Sequence, residues 1–464
     1  MYEANTETRK DVFSPQRVLL IIGLLFGWIF IFVTPPFQAP DEFHHMFRAY
    51  QISMGGIISS KSEGISGAEL PSSLGDTVLT VSKNVLQHPQ YPQKLKEIEK
   101  TLRIPLAPED VQFYYFPNTA RYAPAMYVPQ VVGIFAGRLF QCTPIVIMYL
   151  GRITNFIAWM LLMYIAVRTT PIYKWLFVLL ALTPKSLFMG ASLSADAFTN
   201  SIAFVYSAVV FKIAYGKAER VSNGELAVLF LTSAMLSLSK QVYAPLLLLL
   251  FMIPVSKFGN FKRYAALMCA IFAVNAVVAL LWYFLMGGLN EPLRFDIAVS
   301  PVRQWHFITH HPVDFIVVMK TTLAAYWYDM IVEFIGNLGW LDTQLPPFIH
   351  ITYWALLIFT GIVENRADVV ISAKDKAAAF AAFVSITFLI ALSQYLTWTT
   401  VSKPIIMGMT GRYFIPASAA LFILFYNNRL HIDTQRPLFG TLILCYMAVI
   451  MVSTAAAMIL RYYL

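Results

Sequence analysis

Apolar runs long enough to cross a lipid bilayer recur along almost the whole chain, separated by short charged links. A spanning helix needs about 20 mostly apolar residues. Within the hydrocarbon every backbone N–H and C=O must be satisfied inside the segment, which makes each such run a helix. The first run is Val18 to Val33, and others lie near Ile145 to Val167, Trp175 to Met189, Phe198 to Tyr215, Glu225 to Leu238, Val242 to Val255, Tyr264 to Met286, Phe348 to Val363, Ala377 to Thr399, Tyr413 to Tyr426 and Leu438 to Leu460. With 58% apolar residues, 13% charged and a mean hydropathy of +0.63, the chain is too apolar for a soluble domain of 464 residues. The expected fold class is all-α, a single polytopic membrane helix bundle over 1–464.

The charges orient the bundle. A net charge of +9 comes from basic residues scattered singly between apolar runs, so it reads as the positive-inside bias and gives no reason to expect a nucleic-acid partner. Arg9, Lys10 and Arg17 precede the first run, which puts the N-terminus in the cytoplasm. The run is followed by Thr-Pro-Pro and not by a small-residue cleavage site, so it is expected to be an uncleaved anchor. Tyr122 to Phe140 is apolar but carries Pro124, Pro129 and Arg138, and is either a span or a surface helix. If it does not cross, the basic links 168–174, 217–220, 257–263, 366–376 and 429–436 all face the cytoplasm; if it does, most face outward. The first choice gives about eleven spans, with the C-terminus outside. It also gives two extracytoplasmic loops, 35–144 and 287–345. A short amphipathic helix is expected near Pro92 to Leu102, and an interfacial aromatic layer over Tyr114 to Tyr127. Cys142, Cys269 and Cys445 are far apart and imply neither a disulfide nor a zinc framework.

The densest ionisable cluster follows the first run. Thr34 to Tyr50 packs Asp41, Glu42, His44, His45 and Arg48 into one short stretch. Its prolines end the preceding helix, and Pro40 is placed to start a new one with Asp41 and Glu42 at its positive end. At spacings of three, four and seven, Asp41, His44, His45 and Arg48 share a helix face. A carboxylate beside imidazoles at the mouth of a membrane bundle suits proton abstraction or metal binding; the plainer alternative is a solvated interfacial helix.

Other polar residues between apolar runs fall on the same outer side. Asp196 is placed to share a divalent cation with Asp41 or simply to cap a helix. Lys240, with Tyr243 close by, suits a phosphate, or else snorkels to the headgroups. Arg412, flanked by Gly408 and Gly411 and followed by Tyr413, has the planar fork for a phosphodiester, or else anchors the interface. The loop 287–345 carries Arg294, Asp296, Arg303, Trp305, His306, His310, His311, Trp327, Tyr328, Asp329, Trp340 and Asp342, aromatic rings beside polar groups as a carbohydrate needs. The histidines at 306, 310 and 311 lack an acidic ligand in register, so zinc is not expected there. No glycine-rich nucleotide loop or Walker motif appears. A donor for chemistry on the outer face would therefore arrive in the membrane as a lipid phosphate.

Pro-Asp-Glu with a nearby His and Arg-Ala-Tyr-Gln, Leu-Ser-Ala-Asp-Ala at Asp196, Leu-Ser-Lys-Gln-Val-Tyr at Lys240, Gly-Trp-Leu-Asp-Thr at Asp342 and Gly-Arg-Tyr-Phe-Ile-Pro at Arg412 occur in that order. Together they resemble a bacterial family of polytopic proteins known only as a domain of unknown function and grouped with the GT-C glycosyltransferases. The resemblance implies an integral inner-membrane transferase that uses a polyprenyl-phosphate-linked sugar on the extracytoplasmic face. It maps the catalytic base onto Asp41, with Glu42 as its neighbour, and a metal-holding carboxylate onto Asp196. It further implies a helix in the first outer loop that does not cross. The motif here is Asp-Glu where an Asp-X-Asp pattern would go with a bound metal. The sequence-based expectation is an inverting glycosyltransferase that passes one sugar to a cell-envelope glycan such as O-antigen. Asp41 and Glu42 would be the catalytic residues, with Asp41 the base, and His45, Arg48, Lys240, Tyr243, Asp342, Arg412 and Tyr413 would bind substrate. Mg or Mn would sit on Asp41 and Asp196 if a cation takes part. The alternative is a transporter or flippase of lipid-linked sugars, which should show internal repeats and broken helices; neither is evident from sequence. A membrane scaffold is a third reading.

Overall fold

The computed structural model describes residues 13–83, 85–86, 88, 90–289, 298–434 and 436–464. Arg9, Lys10, Arg294 and Asp296 therefore lie outside the described residues. The chain is mostly helical: α1 (Pro15–Val33), α2 (Glu42–Ser53), α3 (Pro144–Thr169), α4 (Ala195–Tyr215), α5 (Phe261–Leu285), α6 (Pro312–Gly336), α7 (Ala373–Thr397) and α8 (Pro437–Tyr463) are its main helices. All but α2 are long and apolar enough to cross a membrane, and shorter apolar helices cover Asn223–Ser239, Gln241–Met252 and Pro347–Val363.

The apolar surface is arranged as a bilayer requires. In α4, 89% of the apolar window is buried against neighbouring helices, so it is the hub of the bundle. Only 17% of the corresponding window in α5 is buried. Val277, Leu280, Leu281 and Phe284 of α5 point away from the protein. So large an uncovered apolar face is stable only against lipid or a partner. The chain is a multi-pass helical membrane protein.

Several runs depart from simple spans, each for a local reason. Trp175 to Met189 is two helices, Lys174–Ala181 and Pro184–Gly190. Pro184 has no N–H to continue the ladder, and the Thr183 hydroxyl caps the second piece by accepting from Ser186 N at 3.1 Å. Such a broken helix was not evident from sequence. Gln241–Met252 winds as a 3₁₀ helix around Pro245. Tyr413 to Tyr426 holds only a 3₁₀ turn, Gly411–Phe414, and the short helix Ser418–Ile423. The run from Tyr122 gives a 3₁₀ turn and then the 12-residue helix Val128–Leu139, which packs along α3. At about 18 Å that helix is too short to cross.

The two loop regions are structured. Between α2 and α3 lies an antiparallel sheet of β1 (Ser60–Ser62), β2 (Ile65–Pro71) and β3 (Val111–Tyr115), in which Gly67 pairs with Tyr115. The all-α expectation is thus corrected to mostly helical with a small sheet, and part of the expected aromatic layer is strand β3. A helix does form at Leu95–Thr101. The region 287–345 contains α6, whose apolar pattern is interrupted by Asp314, Lys320, Asp329 and Glu333. Phe315 near its start stacks on Tyr395 at the end of α7, and Glu333 near its finish accepts from Gly411 N at 2.9 Å. Both ends of α6 therefore pack on the same end of the bundle. A hairpin of β4 (Asn337–Leu338) and β5 (Thr343–Gln344) follows it.

The basic links gather at the opposite end. Arg366 donates to Pro171 O, Asn428 to Arg366 O, Trp175 Nε1 to Thr434 O, and Lys376 to Tyr426 O. Lys257 donates to Gly216 O at 3.0 Å, which adds the link after α4. Phe13 and Ser14, which precede α1, line the same basic cavity as Arg168, Lys212 and Arg436.

Candidate active site

Asp41 sits where α1 has ended and α2 has not begun. Its backbone is left-handed, with φ +58°, and its side chain makes no capping bond. Instead Asn118 Nδ2 donates to Asp41 Oδ1 at 2.8 Å, and the Arg412 guanidinium lies 4.0 Å from Oδ2. Asp196 comes from the first turn of α4, Lys240 from the residue that ends Asn223–Ser239, and Arg412 from the 3₁₀ turn after α7. Lys240 and Asp196 form a mostly buried ion pair. Tyr122 and Tyr413 flank the ammonium at 5.3 and 5.4 Å from their ring centres, and Tyr413 also faces Arg412 at 5.3 Å. Cations gain from ring faces when water is excluded.

These groups share a cavity of about 260 Å³ lined by Asp41, His45, Asp196, Lys240, Arg412 and Tyr413, with Asn118, Tyr122, Trp340, Gln394 and Trp398 among the rest of the wall. Glu333 supports it from behind, since its bond to Gly411 N fixes the turn that carries Arg412. Arg412 Nε and Asn118 Oδ1 are buried without a hydrogen-bond partner among the described residues. Tyr243 lines an adjoining cavity of about 310 Å³ and donates to Tyr413 O at 3.0 Å. Asn118, Tyr122, Lys240, Gln394 and Tyr413 belong to both cavities and mark their junction. The second cavity is lined by Leu238, Trp282, Tyr283, Met286 and Ile390 together with the polar Arg121, Ser239, Gln241, Ser393 and Thr397.

His45 presents its ring to the site, with Nδ1 2.9 Å from the Tyr127 hydroxyl. Burial pushes this imidazole down to about 4; Asp41 and Asp196 pull the other way, and Lys240 and Arg412 reinforce the fall. It is neutral at neutral pH. Burial likewise takes His44 down to about 4 against the pull of Asp41.

Three expected site residues are used elsewhere. Glu42 is fully buried, and Arg152 of α3 grips it with both arms: Nε donates to Oε1 at 2.8 Å and Nη2 to Oε2 at 2.6 Å. Phe37 N and Leu193 N complete its shell, so it locks the turn after α1 to the turn before α4 and has no face toward the cavity. Arg48 does not share a face with Asp41; its guanidinium is buried on Ile57 O at 2.7 Å and Tyr122 O at 3.1 Å, where it ties α2 to its loops. Asp342 is paired with Arg461 at 2.6 Å, behind the hairpin whose Trp340 and Leu341 reach the cavity.

A divalent cation fits this site poorly. Asp196 already carries the Lys240 ammonium and Asp41 faces Arg412, so two fixed cations stand where a metal would have to gain its charge stabilisation. No group of three or more His, Cys, Asp or Glu is placed to hold a metal ion among the described residues.

Residues 24–421, well over half of the chain, match the profile of a family described as Predicted membrane protein (DUF2142). The chain belongs to that family. The match begins within α1 and runs past Arg412, so every residue named for the Asp41 cavity lies inside the family region. No curated protein matches the chain.

Proposed function

We propose that the chain is an inverting glycosyltransferase of the GT-C kind. It would move one sugar from a polyprenyl phosphate to a hydroxyl of a cell-envelope glycan, such as O-antigen, on the extracytoplasmic face of a bacterial inner membrane crossed about eleven times. The observation that carries this reading is the Asp41 carboxylate in one small cavity with two mostly buried cations, Arg412 and Lys240, beside a second cavity whose lining joins aromatic and apolar side chains to polar ones, as a lipid phosphate requires.

The chemistry follows from those positions. A neutral hydroxyl is a poor nucleophile, and Asp41 accepts its proton as the oxygen attacks the anomeric carbon. The bond from that carbon to the phosphate oxygen breaks as the new glycosidic bond forms, with inversion. The lipid phosphate departs with its charge met by Arg412, whose fork matches phosphate oxygens, and by Lys240. Asp196 holds Lys240 in place, and Asn118 aims the Asp41 carboxylate. Asp41→Asn keeps the shape and the Asn118 contact but removes the base. It should abolish sugar transfer in a reconstituted assay with a polyprenyl-phosphate sugar, while membrane insertion and thermal stability stay normal; full turnover by this variant would sink the assignment.

One feature favours the second reading, a transporter of lipid-linked sugars. The broken helix at Leu182 and Thr183 places Lys185 fully buried, with its ammonium on Asn337 O at 2.7 Å, and broken helices with buried charge mark transport pathways. A gain of one sugar mass on an added glycan acceptor separates the two.

A further inference from the structure

The cavity has two unlike ends. Lys240, Tyr122, Tyr413 and Gln394 stand at the junction with the adjoining cavity, while Trp340, Leu341, Trp398 and Gly408 line only the Asp41 cavity. The second end is built by two independently braced segments. One is the β4–β5 hairpin. Trp340 Nε1 donates to Phe37 O at 3.3 Å and its ring lies on Phe43, 6.3 Å between centres. Leu341 is exposed at the tip in a left-handed conformation, φ +66°, unusual for a bulky side chain. The buried Asp342 to Arg461 pair and the Thr343 bond to the Tyr462 hydroxyl pin this hairpin to the end of α8. Strain held by surrounding structure is typical of ligand clamps.

The other segment is the chain after α7. Gly408, at φ +79°, passes so close to Trp398 and Gln394 that a Cβ there would meet Trp398 Cδ1 at 2.5 Å and Gln394 Oε1 at 2.8 Å. The glycine lets both side chains stand at the cavity wall. Two tryptophans on the wall of one cavity, with the Gln394 amide beside Trp398, suit a pyranose, which has apolar C–H faces and a hydroxyl rim. The rings take the faces, and Gln394 supplies both a donor and an acceptor for the rim. A platform already held in place spares the ordering cost of binding.

We propose that Trp340, Trp398 and Gln394 form the acceptor subsite, holding a hexopyranose of the glycan so that one of its hydroxyls reaches Asp41. This rests on the transferase reading and divides the cavity, with the saccharide at the tryptophan end and the lipid phosphate at the Lys240 end.

The test uses full-length protein in nanodiscs and two kinds of probe: undecaprenyl phosphate, and the disaccharides lactose, N,N′-diacetylchitobiose and mannobiose. Saturation-transfer NMR should show at least one disaccharide bound through its ring C–H groups. Trp340→Ala and Trp398→Ala should each weaken that binding about tenfold, the loss expected for an aromatic anchor, and leave undecaprenyl phosphate binding unchanged. Trp398→Phe, which keeps a ring, should restore most of it, and Lys240→Ala should show the reverse pattern. Disaccharide binding indifferent to both tryptophans overturns the subsite. Binding of undecaprenyl phosphate through Lys240 with no disaccharide bound at all also overturns it, yet leaves the transferase reading standing. Failure of both probes removes that reading as well.

Discussion

Asp41 takes a left-handed turn that costs a non-glycine residue of order 1–2 kcal/mol, and this turn separates its carboxylate from that of Glu42. One side chain goes to the cavity and the other into the protein, where Arg152 neutralises it with no exposure on either partner. Removing one member of such a pair leaves a bare buried charge, whereas replacing both with apolar groups is far milder. Glu42→Gln should therefore cost about 3–5 kcal/mol and lower the thermal midpoint in detergent, and Glu42→Leu combined with Arg152→Met should recover most of the loss. A midpoint unchanged in Glu42→Gln would show that the pair does not lock the two turns. His45 supplies a pH dependence at the same scale. Its folded value lies near 4 and its unfolded value near 6.5, so the unfolded chain binds the extra proton first as pH drops. The stabilisation is whole above about 6.5 and is lost as pH falls from there toward 4, by up to about 3 kcal/mol. Thermal midpoints measured from pH 7 to pH 5 should fall, and less steeply in His45→Gln, which has no proton to gain; parallel slopes would exclude His45 as the source.

At the scale of elements, the site depends on one close crossing. Gly411 lies against α6 so tightly that a Cβ would come 2.1 Å from Met330 O and 2.5 Å from Phe334 N, both backbone atoms with no freedom to yield. Gly411→Ala should push the turn off α6, break the Glu333 bond and carry Arg412 away from Asp41. The expectation is a loss of turnover of at least about a hundredfold, the scale of a misplaced charge-stabilising group, with a lowered thermal midpoint. Gly224→Ala, where nothing lies within 4 Å of the added carbon, is the matched control and should behave as wild type. Glycine spacing around Arg412 was visible in sequence, but its partner helix was not. The four charges of α6 broke its apolar pattern, so 312–336 read as loop. Arg152 was hidden in the opposite way, inside the long run from Ile145. An arginine within such a run must be paired, and that was the available signal for the Glu42 lock. Trp340 stood out only as one of several aromatic residues in 287–345, and Trp398, Asn118 and Gln394 carried no usable signal, because an aromatic or amide near an interface reads alike whether it faces headgroups or a cavity. Asp41, Asp196, Lys240 and Arg412 were legible because each interrupts or borders an apolar run, where charge is tolerated mainly for function.

At the scale of the whole molecule, the basic links and the cavity occupy opposite ends. The links converge through bonds such as Arg366 to Pro171 O and Lys376 to Tyr426 O, and the first helix begins among them. The proposed orientation follows from the positive-inside bias, with that end in the cytoplasm and the Asp41 cavity outside, where a lipid-phosphate sugar would need no soluble nucleotide-binding domain. Substituted-cysteine labelling tests this directly. In a background with Cys142, Cys269 and Cys445 replaced by serine, Ile57→Cys in the loop that follows α2 and Arg436→Cys at the start of α8 are both exposed. A membrane-impermeant maleimide added to intact spheroplasts should label position 57 and reach position 436 only after permeabilisation. The reverse pattern would put Asp41 in the cytosol and overturn the extracytoplasmic transfer proposed.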